Sequence, residues 1–294
     1  MLTVVIGLGS ALVYGAADFL GGLAAKRMSA VLVTAIAALV GLVLFVAVGL
    51  PVIGGTWSSD AVILGALSGI SGAVAIGLLY ACLAIGPMSI LSPLTAVVSA
   101  VVPLTVGLIG GERLSTFGYV ALGLAIVAIV LVGFTPPGAG ELVRNAVRPS
   151  LKGVLMAIGS GAAIGVFLIL IDATPDDSGI VPLVLNRATN ATIMFTLVGV
   201  LALIAWRRGT APAHGTWKTG LTVAIACGIL DAIANAGLLL GVRIGELSVI
   251  AVLTALYPAG TIILAAIVLK ERIAVLQYVG LVLAITAGAM LALT

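Results

Sequence analysis

The 294-residue chain is 62% hydrophobic and only 8% charged, with a formal net charge of +3 at pH 7. A soluble domain carries about 25% charged residues, so this chain cannot cover a water-facing surface and a soluble domain is excluded; no basic patch with interleaved aromatics points to nucleic acid. It reads as an all-α integral membrane protein.

A helix needs about 20 mostly apolar residues to cross a bilayer. Cutting the sequence at glycine, proline and charge gives ten transmembrane helices, at 3–24, 30–50, 61–83, 89–109, 115–134, 151–172, 180–205, 217–241, 247–268 and 273–293. The first, "MLTVVIGLGSALVYGAADFLGG", has no basic leading region or clear cleavage site, so it reads as a span rather than a secretory signal. Links such as "IGPMS", "GGERLS" and "LKERI" are short and imply antiparallel neighbours. The longest polar stretch, "TPPGAGELVRNAVRPS", divides the chain into a five-helix repeat at 1–135, a connecting loop at 136–150 and a second five-helix repeat at 151–294.

The division is supported by internal similarity. "GPMSILSPLTAV" from Gly86 aligns with "GELSVIAVLTAL" from Gly245, and "GERLSTFGYVALGLA" from Gly111 with "KERIAVLQYVGLVLA" from Lys270. Both pairs share one offset, so Glu112 falls on Glu271 and Tyr119 on Tyr278. Five spans is an odd number, so the second half enters the membrane from the opposite side. Inverted repeats of this kind mark secondary transporters, with a binding site near the midplane between the halves.

Ten of the thirteen lysines and arginines, among them Lys26, Arg144, Arg207 and Lys270, fall in the loops after spans 1, 5, 7 and 9. Arg113 and Arg243 lie on the other side and Arg187 within a span. Positive charge stays in the cytoplasm, so both termini are expected outside. Small residues four apart, Gly65/Gly69/Ala73, Ala157/Gly161/Gly165 and Gly280/Ala284/Gly288, suit close helix packing in lipid. Pro93 and Pro103 in span 4, Pro182 in span 7 and Pro258 in span 9 are candidate bends. Cys82 and Cys227 read as small buried apolar groups rather than a disulfide.

An ionisable group within a span is costly and tends to face a cavity or a partner. Asp18, Arg187 and Asp231 are the clear cases, while Asp172 reads as interfacial. Asp231 lies thirteen residues past Lys218, roughly 20 Å along its helix, near the bilayer middle, with Asn235 one turn on. It is expected to bind substrate, to carry a proton, or to pair with Arg187. Asp18, one turn from Tyr14, either carries a proton or points into a cytoplasmic vestibule. Arg187 either snorkels outward or, with Asn186 and Asn190 beside it, faces a polar cavity. Tyr80 and Tyr257 could present a ring or hydroxyl to a ligand, or serve the core.

There is no GxxxxGK[ST], no HExxH and no Cys/His metal spacing, and His214 is the single histidine. No cofactor, metal or catalytic site is expected, and no ATP-driven pumping by this chain is expected. The ten spans in two halves, each closing on "GER" or "KER", resemble EamA-type members of the drug/metabolite transporter superfamily. The likeness is most specific in "LSVIAVLTALYPAGTIILAAIVLKERIAVLQYVGLVLAITAGAMLAL". "GAADFLGGLAAKR" and "GILDAIANAGLLLGVRIGELSVIAVLTALYPAG" are similar to a prokaryotic branch. The resemblance implies a cavity lined by helices 1, 3, 4, 6, 8 and 9, so that Asp18, Asp231 and Asn235 would line or border it. It implies transport of small metabolites, amino acids or amphipathic compounds without ATP. Ten-helix relatives look to have cytoplasmic termini, against the charge count here.

The expectation is therefore a multi-pass protein of the inner or plasma membrane that moves a small-molecule substrate by alternating access, with proton coupling through Asp18 or Asp231. An uncoupled facilitator of the same fold is the alternative and an intramembrane enzyme a distant third. Lipid, substrate and protons are the expected partners, with no nucleic acid; monomer and homodimer stay open.

Overall fold

In the computed structural model the described residues are 1–25, 27–85, 88–133, 150–209, 217–268, 270 and 274–293; the description of side chains also leaves out 80–90, 92, 93, 133, 217, 265 and 292. Among them every regular element is helical. The helices are α1 (Leu2–Ala25), α2 (Ala30–Leu44), α3 (Ser59–Ile85), α4 (Met88–Ile109), α5 (Thr116–Gly133), α6 (Leu151–Asp172), α7 (Val181–Arg207), α8 (Trp217–Ile244), α9 (Leu247–Thr254), α10 (Tyr257–Val268) and α11 (Val275–Ala292). Seven segments are long and apolar enough to cross a membrane, and three expected spans appear as shorter apolar stretches, Leu94–Ile109, Thr116–Val132 and Val275–Leu291. Most of the expected connecting loop, including Glu141, Arg144 and Arg148, lies outside the described residues.

Local sequence sets the helix ends. Ser29, Ser115 and Ser150 each accept a hydrogen bond from a backbone N–H three residues on, capping α2, α5 and α6. After α2 the helix widens into a π turn, Phe45–Gly49, and ends on Leu50–Val52, where Pro51 has no N–H to give. Pro182 sits in the first turn of α7, where the missing N–H costs nothing. It is therefore no bend. Pro103 is carried within α4, whereas a break at Ala255–Leu256, just before Tyr257 and Pro258, separates α9 from α10.

The helices pack mainly across the two halves: α1 on α8 and α10, α3 on α6 and α7, α2 on α7 and α8, α4 on α6 and α9, and α5 on α11. Small residues make these approaches possible. A Cβ on Gly65 would lie 2.7 Å from the Pro182 carbonyl of α7, and one on Gly161 2.6 Å from the Thr95 carbonyl of α4. Helix α9 is buried along its whole length. It stands between two apolar clusters, one built on α4, α5 and α11 and the other on α6, α7 and α8. Such a helix, hydrophobic all round, belongs to a protein interior.

Candidate functional site

A cavity of about 210 Å³ lies among α1, α3, α4, α6, α7, α8 and the α9–α10 break. Its apolar wall includes Ile76 and Leu79 of α3, Ile164 and Phe167 of α6 and Leu238 of α8. Its polar wall is concentrated on α1, α7 and α8, the helices that carry the three intramembrane charges.

Residues Asn186, Arg187 and Asn190 occupy one sector of α7, because positions three and four apart share a helix face. All three are buried and line the cavity. Asn186 Nδ2 donates to Ser68 Oγ at 2.9 Å, and Ser68 Oγ donates to the Gly65 carbonyl at 2.7 Å, tying α7 to α3. The Arg187 stem passes over Gly41 of α2, where a Cβ would come within 3.3 Å of Cδ. Its guanidinium then reaches α8: Nη2 lies 2.8 Å from Asp231 Oδ2, an ionic contact not aligned as a hydrogen bond. Asn235, one turn along α8, donates from Nδ2 to Asp231 Oδ1 at 3.2 Å and to the Asp231 carbonyl at 2.7 Å. The arginine does not snorkel outward; it crosses between helices to a carboxylate on the cavity wall. Two buried polar atoms of α7, Arg187 Nε and Asn190 Oδ1, have no hydrogen-bond partner among the described residues.

On α1, Asp18 lies between buried Ala17 and Phe19, yet its own surface is exposed and lines the cavity. Tyr14 lines it one turn away, and Tyr257 approaches from the start of α10. The close pass is made by Gly15, which lies against the Tyr257 and Gly260 backbones where any side chain would collide. Tyr80, the remaining residue singled out in the sequence, is on α3 with its side chain outside the description.

Comparison with known proteins fits this geometry. Residues 151–294 match the model of the EamA-like transporter family. This half of the chain is EamA-like. The family is a transporter family within the drug/metabolite transporter superfamily. No curated protein matches the chain. A solved structure described as "Crystal structure of protein" shares the fold with a TM-score of 0.76 and 17% identity, covering 99% of this chain and 98% of that one. The protein is a multi-pass membrane protein whose EamA-like half supplies most of the polar cavity wall, through α7 and α8.

The site also holds residues that the sequence did not single out. Ser99 of α4 and Thr254 of α9 face the cavity; a lone hydroxyl in an apolar span gives no warning of which way it points. Helix α7 joins the wall too, beyond the six helices that the family resemblance implied.

A second polar cluster lies at the helix ends. Glu112, just past α4, accepts from the backbone N–H groups of Leu247 at 2.8 Å and Ser248 at 3.1 Å, at the start of α9. A carboxylate there meets both the free N–H groups and the positive end of the helix dipole. Ser248 Oγ donates to the Leu104 carbonyl at 3.2 Å. Arg243, at the end of α8, donates to the Thr174 carbonyl, to Thr174 Oγ1 at 2.5 Å and to Ser178 Oγ at 3.2 Å, and meets Asp176 Oδ1 at 3.2 Å. Thr56 joins the same end, donating to Asp177 Oδ2 at 2.8 Å. Beside Glu112, burial first and then the neighbouring Glu112 carboxylate push the Glu246 carboxyl above its usual range.

Proposed function

We propose that this protein is a secondary transporter that moves a small solute by alternating access through the cavity between its halves, without ATP. The observation that carries the reading is the Arg187–Asp231 pair, with Asp18 lining the same cavity: three ionisable groups on otherwise apolar helices. Such groups are costly in a membrane and mark substrate or ion pathways. We read ten spans in two inverted repeats, 1–135 and 151–294, with α9 and α10 together forming the ninth span.

The packing supports that reading. Mapping helix 1 to 6, 2 to 7 and so on turns the α1–α8 contact into α3–α6, α1–α10 into α4–α6, and α2–α8 into α3–α7, all of which occur. The pairs α2–α7, α4–α9 and α5–α11 map onto themselves. Two halves related by a two-fold axis in the membrane plane would pack in this way, and a rocking motion could expose the central cavity to either side. The charge bias puts the Glu112–Arg243 end outside in this reading, with the membrane that of the cell. The hydrogen bonds above join the helices at that end.

Flux in proteoliposomes, with and without an imposed pH gradient, tests the proposal. A solute accumulated against its gradient only when the pH gradient is present, and lost in both Asp18→Asn and Asp231→Asn, is the expected result. Saturable flux that ignores the gradient, and that both variants leave unchanged, would make the protein an uncoupled facilitator. Absence of solute movement by the folded protein across a broad metabolite panel overturns transport itself.

A further inference from the structure

Charge accounting over the cavity wall leads to the class of ligand it takes. Three formally charged side chains line it among the described residues: Asp18, Arg187 and Asp231. Arg187 and Asp231 cancel one another at 2.8 Å, and Asn235 supports the carboxylate. Asp18 is left over. Among the described residues no other cation lines the wall, since α1, α3 and α10 bring Tyr14, Leu79 and Tyr257 to it, α4 brings Ser99, and Arg187 of α7 is already engaged with Asp231. A carboxylate on a cavity wall among apolar helices, without a counter-charge, draws one from solution.

We infer that the cavity binds a net-cationic organic amine, with the ammonium on Asp18 and the body against the aromatic and aliphatic wall; this rests on the transport reading of the same cavity. The aromatic rings at hand, Tyr14, Tyr257 and Phe167, suit such a ligand, because a ring face attracts an ammonium and its edge packs on hydrocarbon. Two further atoms narrow the class. Asn190 is 4% exposed and its Oδ1 accepts nothing. Arg187 Nε is a buried donor with nothing to donate to. A ligand that offers one N–H or O–H and one neutral acceptor relieves both, and buried polar groups left unpaired are penalised. An amine bearing a hydroxyl or amide meets these needs. A zwitterion does not balance the wall: it adds no net charge, and its carboxylate would set a further anion beside Asp18 and Asp231.

Three probes that differ only at one position separate these cases: phenylalanine, a zwitterion; phenylalaninol, a cation with a hydroxyl; and phenethylamine, a cation without one. Binding is measured by calorimetry on the purified full chain in nanodiscs at neutral pH. Phenylalaninol should bind tightest, phenethylamine about tenfold more weakly and phenylalanine more weakly still, each tenfold step being about 1.4 kcal/mol. Asp18→Asn should abolish binding of both amines, Asp18→Glu should retain it, and Asn190→Leu should bring phenylalaninol down to the level of phenethylamine. Thermal melting of each variant establishes that it is folded. The inference is overturned if phenylalanine binds as well as phenylalaninol, if folded Asp18→Asn keeps the amines, or if neither amine binds the wild type. Amine binding without any flux would leave the ligand class standing and sink the transport reading. Flux of zwitterions with no amine binding would do the reverse.

Discussion

Two arginine–aspartate pairs sit among the described residues of this bundle, and they hold by different means. Arg187–Asp231 lies inside, at 2.8 Å, with side-chain exposures of 10% and 23%. Arg243–Asp176 lies at the end, at 3.2 Å, with exposures of 14% and 94%. In the first pair the partner charge is what makes the arginine tolerable, because its Nε finds no hydrogen-bond partner among the described residues. In the second the aspartate is open to solvent, and Arg243 is held instead by Thr174 and Ser178. An exposed ion pair contributes about 0–1 kcal/mol, so the outer arginine is a hydrogen-bonding clamp that happens to have an acid beside it.

The interior pair should give the largest effect. Arg187→Ala or Asp231→Ala alone leaves a buried charge uncompensated, a loss of about 3–5 kcal/mol. The double variant should recover a large part of that in thermal melting. If the two single effects simply add, the pair is not coupled and the contrast with the outer arginine collapses. At the end of the bundle, Arg243→Ala strips three hydrogen bonds from Thr174 and Ser178 and should cost about 2 kcal/mol. Asp176→Asn in the same place should be almost silent, within about 0.5 kcal/mol. An Asp176→Asn loss as large as that of Arg243→Ala would mean the outer pair is held by charge after all.

Next in size is Glu112→Gln. The glutamine keeps one acceptor oxygen for the α9 N-terminus but loses the negative charge that favours it. The expected loss is about 1 kcal/mol, with Glu112→Ala costing about twice that. If Glu112 ties the halves at a gate rather than merely capping a helix, both variants should also raise cysteine-reagent access to Thr254→Cys from the Glu112 side. Unchanged access with lowered stability would reduce Glu112 to a cap.

Much of this arrangement was legible in the sequence because apolar length and punctuation are strong signals. The helix ends fall within a few residues of those expected, α1 at Leu2–Ala25 against 3–24 and α6 at Leu151–Asp172 against 151–172. The small residues four apart do face neighbouring helices, Gly69 against Asn186 and Gly165 against Val102. The break before Tyr257 is foreshadowed by Pro258, whereas Pro182 misled as a bend because proline is harmless in a first turn. The charged trio could be singled out because charge in an apolar span is rare. What the sequence could not show is direction. Ser99 and Thr254 reach the cavity, while Thr95, one turn from Ser99 on α4, donates instead to the Ala157 carbonyl of α6. Nor could it show that Glu112, noticed only as a repeat marker, reaches the start of α9 some 135 residues away. Those contacts depend on how the halves dock, which no local pattern encodes.

The smallest effect concerns Glu246, the second carboxyl at the Glu112 end. Its proton is held more tightly in the folded protein than in the unfolded chain, through burial and then the neighbouring Glu112 charge. A raised carboxyl value means that the folded state binds more protons, so stability falls as pH rises through the glutamate range. Above that range the ionised pair repels, and Glu112 must hold the α9 N-terminus against it. Glu246→Gln removes the repulsion without removing Glu112. The variant should therefore melt slightly higher than wild type at neutral pH and converge with it towards about pH 3, more than a unit below the ordinary glutamate value, where Glu246 is protonated in both states. Because Glu246 is largely exposed, salt should shrink the gap. A gap that is independent of both pH and salt would show that the carboxylates do not sense one another, and that Glu112 serves α9 alone.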